Sequence, residues 1–420
     1  MTTHTAAPAA DFAAIVGVDY VKPAAPADVI LGCAPRWVIA PGSPEEVAAV
    51  LRAATAAGLR IAPRGGGSKL GWGNPPAALD AILSLHRLDR VLEHAWGDMT
   101  ATVEAGCLVA SLQQTLADHG QRLALDPLWP QRATVGGILA TNDSGALRIR
   151  FGTLRDQVIG LLVALPDGTL ARSGGKVVKN VAGYDLPKLF TGAFGTLGVI
   201  IEATFRLYPL PDQTVACTVA APTVAPLQAL LLRVLDTAIV PTGLQLRAAG
   251  QEAALDLRFE GTAAACTAQL DTVRRLAGDL PCPTADPAVW TAHERLWTGA
   301  DPAVIARSSV LPADLAYLCA SAAAGLPTGG AWQLVAQGTG GGLLRLAAPT
   351  AEDLPAAVTA LRAAIAATDG SLVVLDCPTV IRPQIDVWGP PGAALPLMRR
   401  IKAQFDPTGT LNPGRFIGGL

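Results

Sequence analysis

Apolar positions along this chain fall into two periods, and the change between them divides it. An apolar run at 36–40 is followed by Ser43-Pro44-Glu45-Glu46, a capping box with proline at the first helical position. Val47, Val50, Leu51 and Ala54 then recur at helical spacing, and Gly58 predicts the stop. Residues 60–63 read as the next strand, so 36–63 is a β-α-β unit whose second strand feeds straight into Arg64-Gly65-Gly66-Gly67-Ser68. Strands are predicted at 81–85 and 99–104, and a helix at 108–119, closed by Gly120. Residues 157–165 and 169–172 form a hairpin around Pro166-Asp167-Gly168, and 199–207 alternate as a strand should. Tyr208-Pro209-Leu210-Pro211 ends this first region.

The second region has another rhythm. It predicts a strand at 215–220, a helix at 226–238, strands at 243–247 and 253–260, and a helix at 262–278. The pattern at 304–310, 312–324, 332–336, 343–347, 351–368 and 371–376 reads β-α-β-β-α-β, the ferredoxin-like split order. Two such units joined in one antiparallel sheet are expected. From Trp388 onward a helix at 394–404 and a turn-rich tail are expected to return to the first domain.

Composition narrows the functional classes. The 420 residues exceed one core, and 50% hydrophobic against 16% charged residues leaves room for a large one. A net charge of −2 with no basic cluster argues against a nucleic-acid partner. Cys33, Cys107, Cys217, Cys266, Cys282, Cys319 and Cys377 show no C-x-x-C spacing, which argues against an iron–sulfur or zinc site and reads as thiols in a reducing compartment. The N-terminus does not read as a secretory signal. The long uncharged stretches at 213–232 and 320–344 are broken by prolines or glycines and make poor membrane spans. A cytoplasmic protein is expected, peripheral at a membrane only through a partner.

The chemistry-bearing feature is glycine-rich backbone. Residues 134–145 read TVGGILATNDSG, then come GGKVVKNVAGYDL and GAFGTLGVI, with RGGGS upstream. Such backbone approaches a ligand closely and can offer successive N–H groups to a phosphate. Neither a Walker A loop nor a dinucleotide fingerprint is present. Two separated turns suggest one long cofactor held along its length.

In that order, RGGGS, TVGGILATNDSG, GGKVVKNVAGYDL and GTLGVI resemble the FAD-binding domain of the vanillyl-alcohol-oxidase/p-cresol-methylhydroxylase superfamily. Within it, the chain resembles the FAD-binding subunit of bacterial glycolate oxidase, and WGPPGAALPLMRRIKAQFDPTGTLNPGRFIGGL resembles that subunit's end. The resemblance implies an α+β chain. An extension at 1–27 is followed by a two-part FAD-binding domain at 28–211, a ferredoxin-like antiparallel-sheet cap at 212–387, and a return to the FAD domain at 388–420. It implies that Arg64, Gly65, Gly66, Gly67 and Ser68 wrap the pyrophosphate of an FAD. Thr134, Gly136, Gly137, Thr141, Asn142, Ser144 and Gly145 would complete the cradle. Gly198, Val199 and Ile200 would offer backbone groups, and Asn412 would approach the flavin edge.

Ser68 stands where some superfamily members attach FAD through histidine, so non-covalent binding is implied. Ile201 replaces a common threonine. The metal-linked His-x-x-x-Asp-Gly-Asn segment of the catalytic relatives is missing: His4, His86, His94, His119 and His293 are the five histidines, and none pairs at metal-ligand spacing. No metal is expected, and no general base is identified. Arg148, Arg150, Lys179, Arg382 and Arg415 are candidate cations for a substrate carboxylate, although solvated surface charge is the better expectation for each. Tyr184 could face the flavin or bond the loop, and His293 reads as a helix-surface residue. The implied role is the flavoprotein subunit of a multi-subunit glycolate (2-hydroxy acid) dehydrogenase, with a homologous catalytic flavin subunit and an iron–sulfur subunit as partners. A free-standing FAD oxidoreductase of a hydroxy acid or sugar derivative and a flavin-free scaffold are the alternatives.

Overall fold

The computed structural model describes residues 7–176 and 183–420. Two compact units emerge: Met1–Ser144 with Thr153–Leu210 and Pro391–Leu420, and Gly145–Gly152 with Pro211–Pro390. The second unit thus takes a short segment, Gly145–Gly152, out of the run of the first.

In the first unit the predicted β-α-β crossover forms. Trp37–Ile39 and Ile61–Arg64 flank Ala81–Ser84 in parallel, and Val21–Pro23 adds an antiparallel edge. Helix Pro44–Ala56 connects them. The Ser43 hydroxyl accepts from the Glu46 N–H at 3.2 Å, as a cap should. The Glu46 carboxylate reaches one residue beyond the cap and accepts from Gly42 N–H at 2.7 Å. Val47, Val50, Leu51 and Ala54 are buried, as their spacing predicted. A five-stranded antiparallel sheet runs Val91–Ala95, Thr100–Glu104, Val199–Arg206, Val158–Ala164, Leu170–Gly174. The core joins the sheets and helices through Leu51, Ile61, Leu83, Val103, Ile138 and Phe205. The helix Ala7–Val16, with Phe12 fully buried, lies in the stretch the sequence reads as an extension.

The C-terminal segment closes this unit. Leu411 bridges Ile61 in parallel, with Ile61 N–H donating to Thr410 O at 2.8 Å and Asn412 N–H to Ile61 O at 2.9 Å. Behind it sits a buried ion pair. Lys402 Nζ donates to Asp406 at 2.6 Å, to Thr196 O at 2.7 Å and to Leu411 O at 2.9 Å. Asp406 also accepts from Thr410 N–H at 2.9 Å and Leu411 N–H at 2.8 Å. Burial pushes the Lys402 ammonium below its ordinary value, and Asp406 opposes that push.

The second unit is one seven-stranded antiparallel sheet, ordered Gln213–Ala221, Glu252–Gly261, Gly243–Ala249, Ala331–Gln337, Gly341–Ala347, Ala303–Ser309, Ser371–Asp376. The last four strands, with helices Leu315–Ala324 and Leu354–Ala366, complete one β-α-β-β-α-β unit. The first half has three strands and the helices Val224–Leu235 and Ala263–Ala277. Its fourth strand is reduced to an isolated bridge between Thr284 and Cys217. Period-two alternation sorts the two faces. Leu244, Leu246, Leu255, Leu257, Leu334 and Leu344 enter the core shared with the helices.

Removing one partner of a buried pair leaves the other charge uncompensated, at a cost of about 3–5 kcal/mol. Lys402→Met is expected to lower the unfolding free energy by that order in urea titration, and Arg399→Met, on the same helix, to leave it nearly unchanged. Equal midpoints for the two variants would contradict the anchoring role.

Candidate cofactor site

The strand Ile61–Arg64 delivers the glycine turn into a cradle lined by Arg64, Gly65, Gly66, Gly67, Ser68 and Lys69 on one side. Thr134, Gly136, Gly137, Ala140 and Thr141 form the opposite wall. Phe194, Gly195, Gly198, Val199 and Ile200 extend it, and Asn412 and Arg415 come in from the C-terminal return. The glycines are there for want of room. A Cβ on Gly65 would lie 2.0 Å from Thr134 Oγ1, and one on Gly66 would lie 1.8 Å from Arg132 O. Gly67 has φ +72°, the left-handed region. Thr134 caps the helix Val135–Thr141, its hydroxyl accepting from Gly137 N–H at 3.3 Å.

The cations at this site are already engaged. Arg64 donates to Asp28 at 2.5 Å. Burial raises the Asp28 pKa, but the bonds from Arg64 and Ala25 N–H outweigh it and hold the carboxyl below its ordinary value. Lys69, buried, lies 3.2 Å from the Asp143 carboxylate, which also accepts from Leu128 N–H at 2.9 Å. Trp72 and Trp129 flank the Lys69 ammonium at 5.7 and 5.6 Å. Arg415 is not solvated surface charge: it is buried and donates to Leu70 O at 2.6 Å and Trp72 O at 2.5 Å.

Two amide oxygens at this end of the unit have no partner among the described residues. Asn412, 5% exposed with φ +43°, donates Nδ2–H to Phe194 O at 2.8 Å, while its buried Oδ1 accepts nothing. Asn142, the left-handed cap of helix Val135–Thr141, likewise leaves a buried Oδ1 unpartnered. Buried acceptors are ordinarily satisfied, so the Asn412 oxygen on the cradle wall fits a ligand that brings a donor.

The structure gathers most of the expected residues. Asn142, Ser144 and Gly145 are not among those lining the cradle, and Gly145 belongs to the second unit. Lys179 and His4 lie outside the described residues. Tyr184 is 91% exposed. Arg382 is buried beside Asp376 at 3.6 Å instead of being solvated. Arg148 is half-buried and Arg150 exposed. His293 is half-buried, with Nε2 enclosed and unpartnered, so it is not a simple surface histidine. Sequence reasoning missed Asp28, Lys69, Asp143 and Phe194. Lys69 follows the glycine turn directly, which was the available signal.

Residues 35–174 match the family described as FAD binding domain. The chain carries an FAD-binding domain. This FAD-binding chain is 36% identical over 178 residues to glycolate oxidase subunit GlcD of Bacillus subtilis, covering 42% of the chain and 38% of that relative. It is 36% identical over 190 residues to the mitochondrial D-lactate dehydrogenase [cytochrome] of Arabidopsis thaliana, covering 45% and 33%. The matched stretches therefore span well under half the length of these relatives. Two solved structures share the fold: an alkyldihydroxyacetonephosphate synthase (TM-score 0.77, 18% identity, 99% of this chain and 86% of that one) and p-cresol methylhydroxylase with substrate bound (TM-score 0.75, 16% identity, 97% and 96%). The chain shares the fold of these two proteins.

Gly66→Ala and Gly66→Asp set the same Cβ against Arg132 O, and the aspartate adds a negative charge. Both variants are expected to lose most of the 450 nm flavin absorbance of the purified chain, the aspartate more completely. Gly71→Ala, whose Cβ meets nothing within 4 Å, is the control and is expected to keep it. Full flavin occupancy in Gly66→Asp would remove this turn from the site.

Proposed function

We propose that this chain binds one FAD non-covalently in the cradle of its first unit and serves as a flavoprotein subunit of a 2-hydroxy acid dehydrogenase, glycolate being the preferred substrate. The observation that carries the reading is the glycine-walled cradle with the unpartnered Asn412 oxygen, inside a unit whose residues 35–174 match an FAD-binding family. The names of the glycolate oxidase and D-lactate dehydrogenase relatives support the substrate class.

Arg64 and Lys69 are paired with carboxylates. The N–H groups of the 65–68 turn would therefore hold the pyrophosphate, a dipolar rather than ionic cradle. The Asn412 Oδ1 would accept a hydrogen bond from a donor on the cofactor. Ser68, in the glycine turn, offers no imidazole for covalent attachment. When bound, the flavin supplies a two-electron acceptor for a hydroxyl-bearing carbon. The described histidines do not line the cradle. His86 pairs with Ser84 at 3.0 Å, and His94 pairs with Gln121 at 2.9 Å. Burial, with Arg87 and Arg64 nearby, lowers the His86 pKa. That arrangement favours a chain that carries electrons while a homologous flavin subunit abstracts the substrate proton and an iron–sulfur subunit takes the electrons onward. Among the described residues no helix is long and apolar enough to cross a membrane.

The test is to purify the tagged chain from its own cells and measure FAD and iron in what co-purifies. Near-equimolar releasable FAD, with iron and a second flavin chain, is the expected result. A lone chain that holds FAD and is bleached anaerobically by glycolate would establish the free-standing alternative. A chain without FAD would be the scaffold.

A further inference from the structure

The second unit's sheet has a face turned away from its four long helices and covered in part by the helical turns at 287–295, and on it the strand register builds a guanidinium site. Asp256 stands opposite Thr218 on one neighbouring strand and Gln245 on the other. It is fully buried and takes four donors: Thr218 Oγ1 at 2.8 Å, Gln245 Nε2 at 3.0 Å, Arg247 Nε at 2.6 Å and Arg247 Nη2 at 2.9 Å. The carboxylate thus grips Arg247 bidentately along its Nε–Nη2 edge. Asp286 adds a longer-range attraction, and among the described residues Arg247 Nη1 makes no hydrogen bond, which leaves the Nη1 side of the fork for a ligand.

Arg247 lines a cavity of about 750 Å³ whose walls all belong to this unit. Its floor is small because the next register rows are alanine: Ala220 faces Ala254, which faces Arg247 on the other side, and Ala249 faces Gln333. The wall includes Leu296 and Arg295, whose Nη2 donates to Ala288 O at 3.0 Å. Glu252, exposed, is the acidic group at the rim. The volume falls within the range of small-molecule pockets, about 300–1,000 Å³.

We infer that this cavity is a binding site for an organic carboxylate with a compact apolar body, its carboxylate taken by the free edge of Arg247 and supported by Arg295. The planar fork suits a carboxylate, Asp256 holds the guanidinium in place before the ligand arrives, and the alanine floor accepts the apolar part. The site lies in the sheet unit and does not depend on the reading of the flavin cradle.

Isothermal titration of the full-length chain with benzoate and its uncharged isostere benzamide tests this assignment. Benzoate is expected to bind and benzamide to bind at least about tenfold more weakly, as loss of a charge-assisted pair implies. Arg247→Met is expected to weaken benzoate by about the same factor. Because that variant exposes Asp256 to a lost partner, Ala254→Leu supplies a second reading: it fills the floor, leaves every charge in place, and is expected to abolish benzoate binding. Absence of benzoate binding, equal binding of benzamide, or a folded Arg247→Met or Ala254→Leu variant with wild-type benzoate affinity would each overturn the assignment.

Discussion

The flavin-binding unit hangs on the Lys402–Asp406 pair. Its charges are buried, and neither tolerates the loss of the other. Each is also satisfied by groups that must be held somewhere: Asp406 fixes the N–H groups of Thr410 and Leu411, and Lys402 fixes the carbonyls of Leu411 and Thr196. The first set orients the turn that presents Asn412. The second holds the loop at 194–198, whose Phe194 carbonyl Asn412 meets. One ion pair therefore joins two walls of the cradle that lie roughly two hundred residues apart in sequence. Arg415 extends the same logic, tying the loop after the glycine turn through Leu70 O and Trp72 O. The C-terminal tail closes the site by hydrogen bonds rather than by apolar packing alone.

A second constraint governs charge. A dinucleotide brings two negative phosphates, and an obvious receptor would oppose them with free cations. Here Arg64 and Lys69 are neutralised by Asp28 and Asp143, the latter pair buried between Trp72 and Trp129. Burying an unpaired lysine in that setting would cost several kcal/mol, so the carboxylate is a condition of placing Lys69 there at all. The pair also ties the glycine turn to the residues that follow helix Val135–Thr141. These ion pairs fix the shape of the cradle, and the backbone N–H groups are left to recognise the ligand.

Much of this was legible in the chain. Helix periodicity located Pro44–Ala56 because Val47, Val50, Leu51 and Ala54 form one buried stripe. Alternation located the second sheet because its strands have one apolar face. The glycine turns marked the cradle because a Cβ at Gly65 or Gly66 has nowhere to go. What stayed hidden were pairings between distant positions. Nothing in the sequence joins Arg64 to Asp28, Lys69 to Asp143 or Lys402 to Asp406, since local pattern reports burial and not partner. For the same reason Arg415 and Arg382 read as solvated charges. The helix Ala7–Val16 was passed over because its alanine-rich sequence shows little contrast between faces, although Phe12 seats it in the core.

The second unit shows how an antiparallel sheet can separate stability from chemistry. On one face leucines, valines and alanines meet the helices, and substitution there is felt as packing. On the other, the register brings Thr218, Gln245 and Arg247 together on the buried Asp256. A row of alanines beside them adds little to the core and leaves the space open. A fully satisfied carboxylate contributes modestly to stability, yet it sets the angle of the guanidinium it holds and costs dearly if that partner is lost. A sheet selected for stability alone would sooner fill that row with apolar side chains. Its openness next to a clamped arginine is what a binding surface requires.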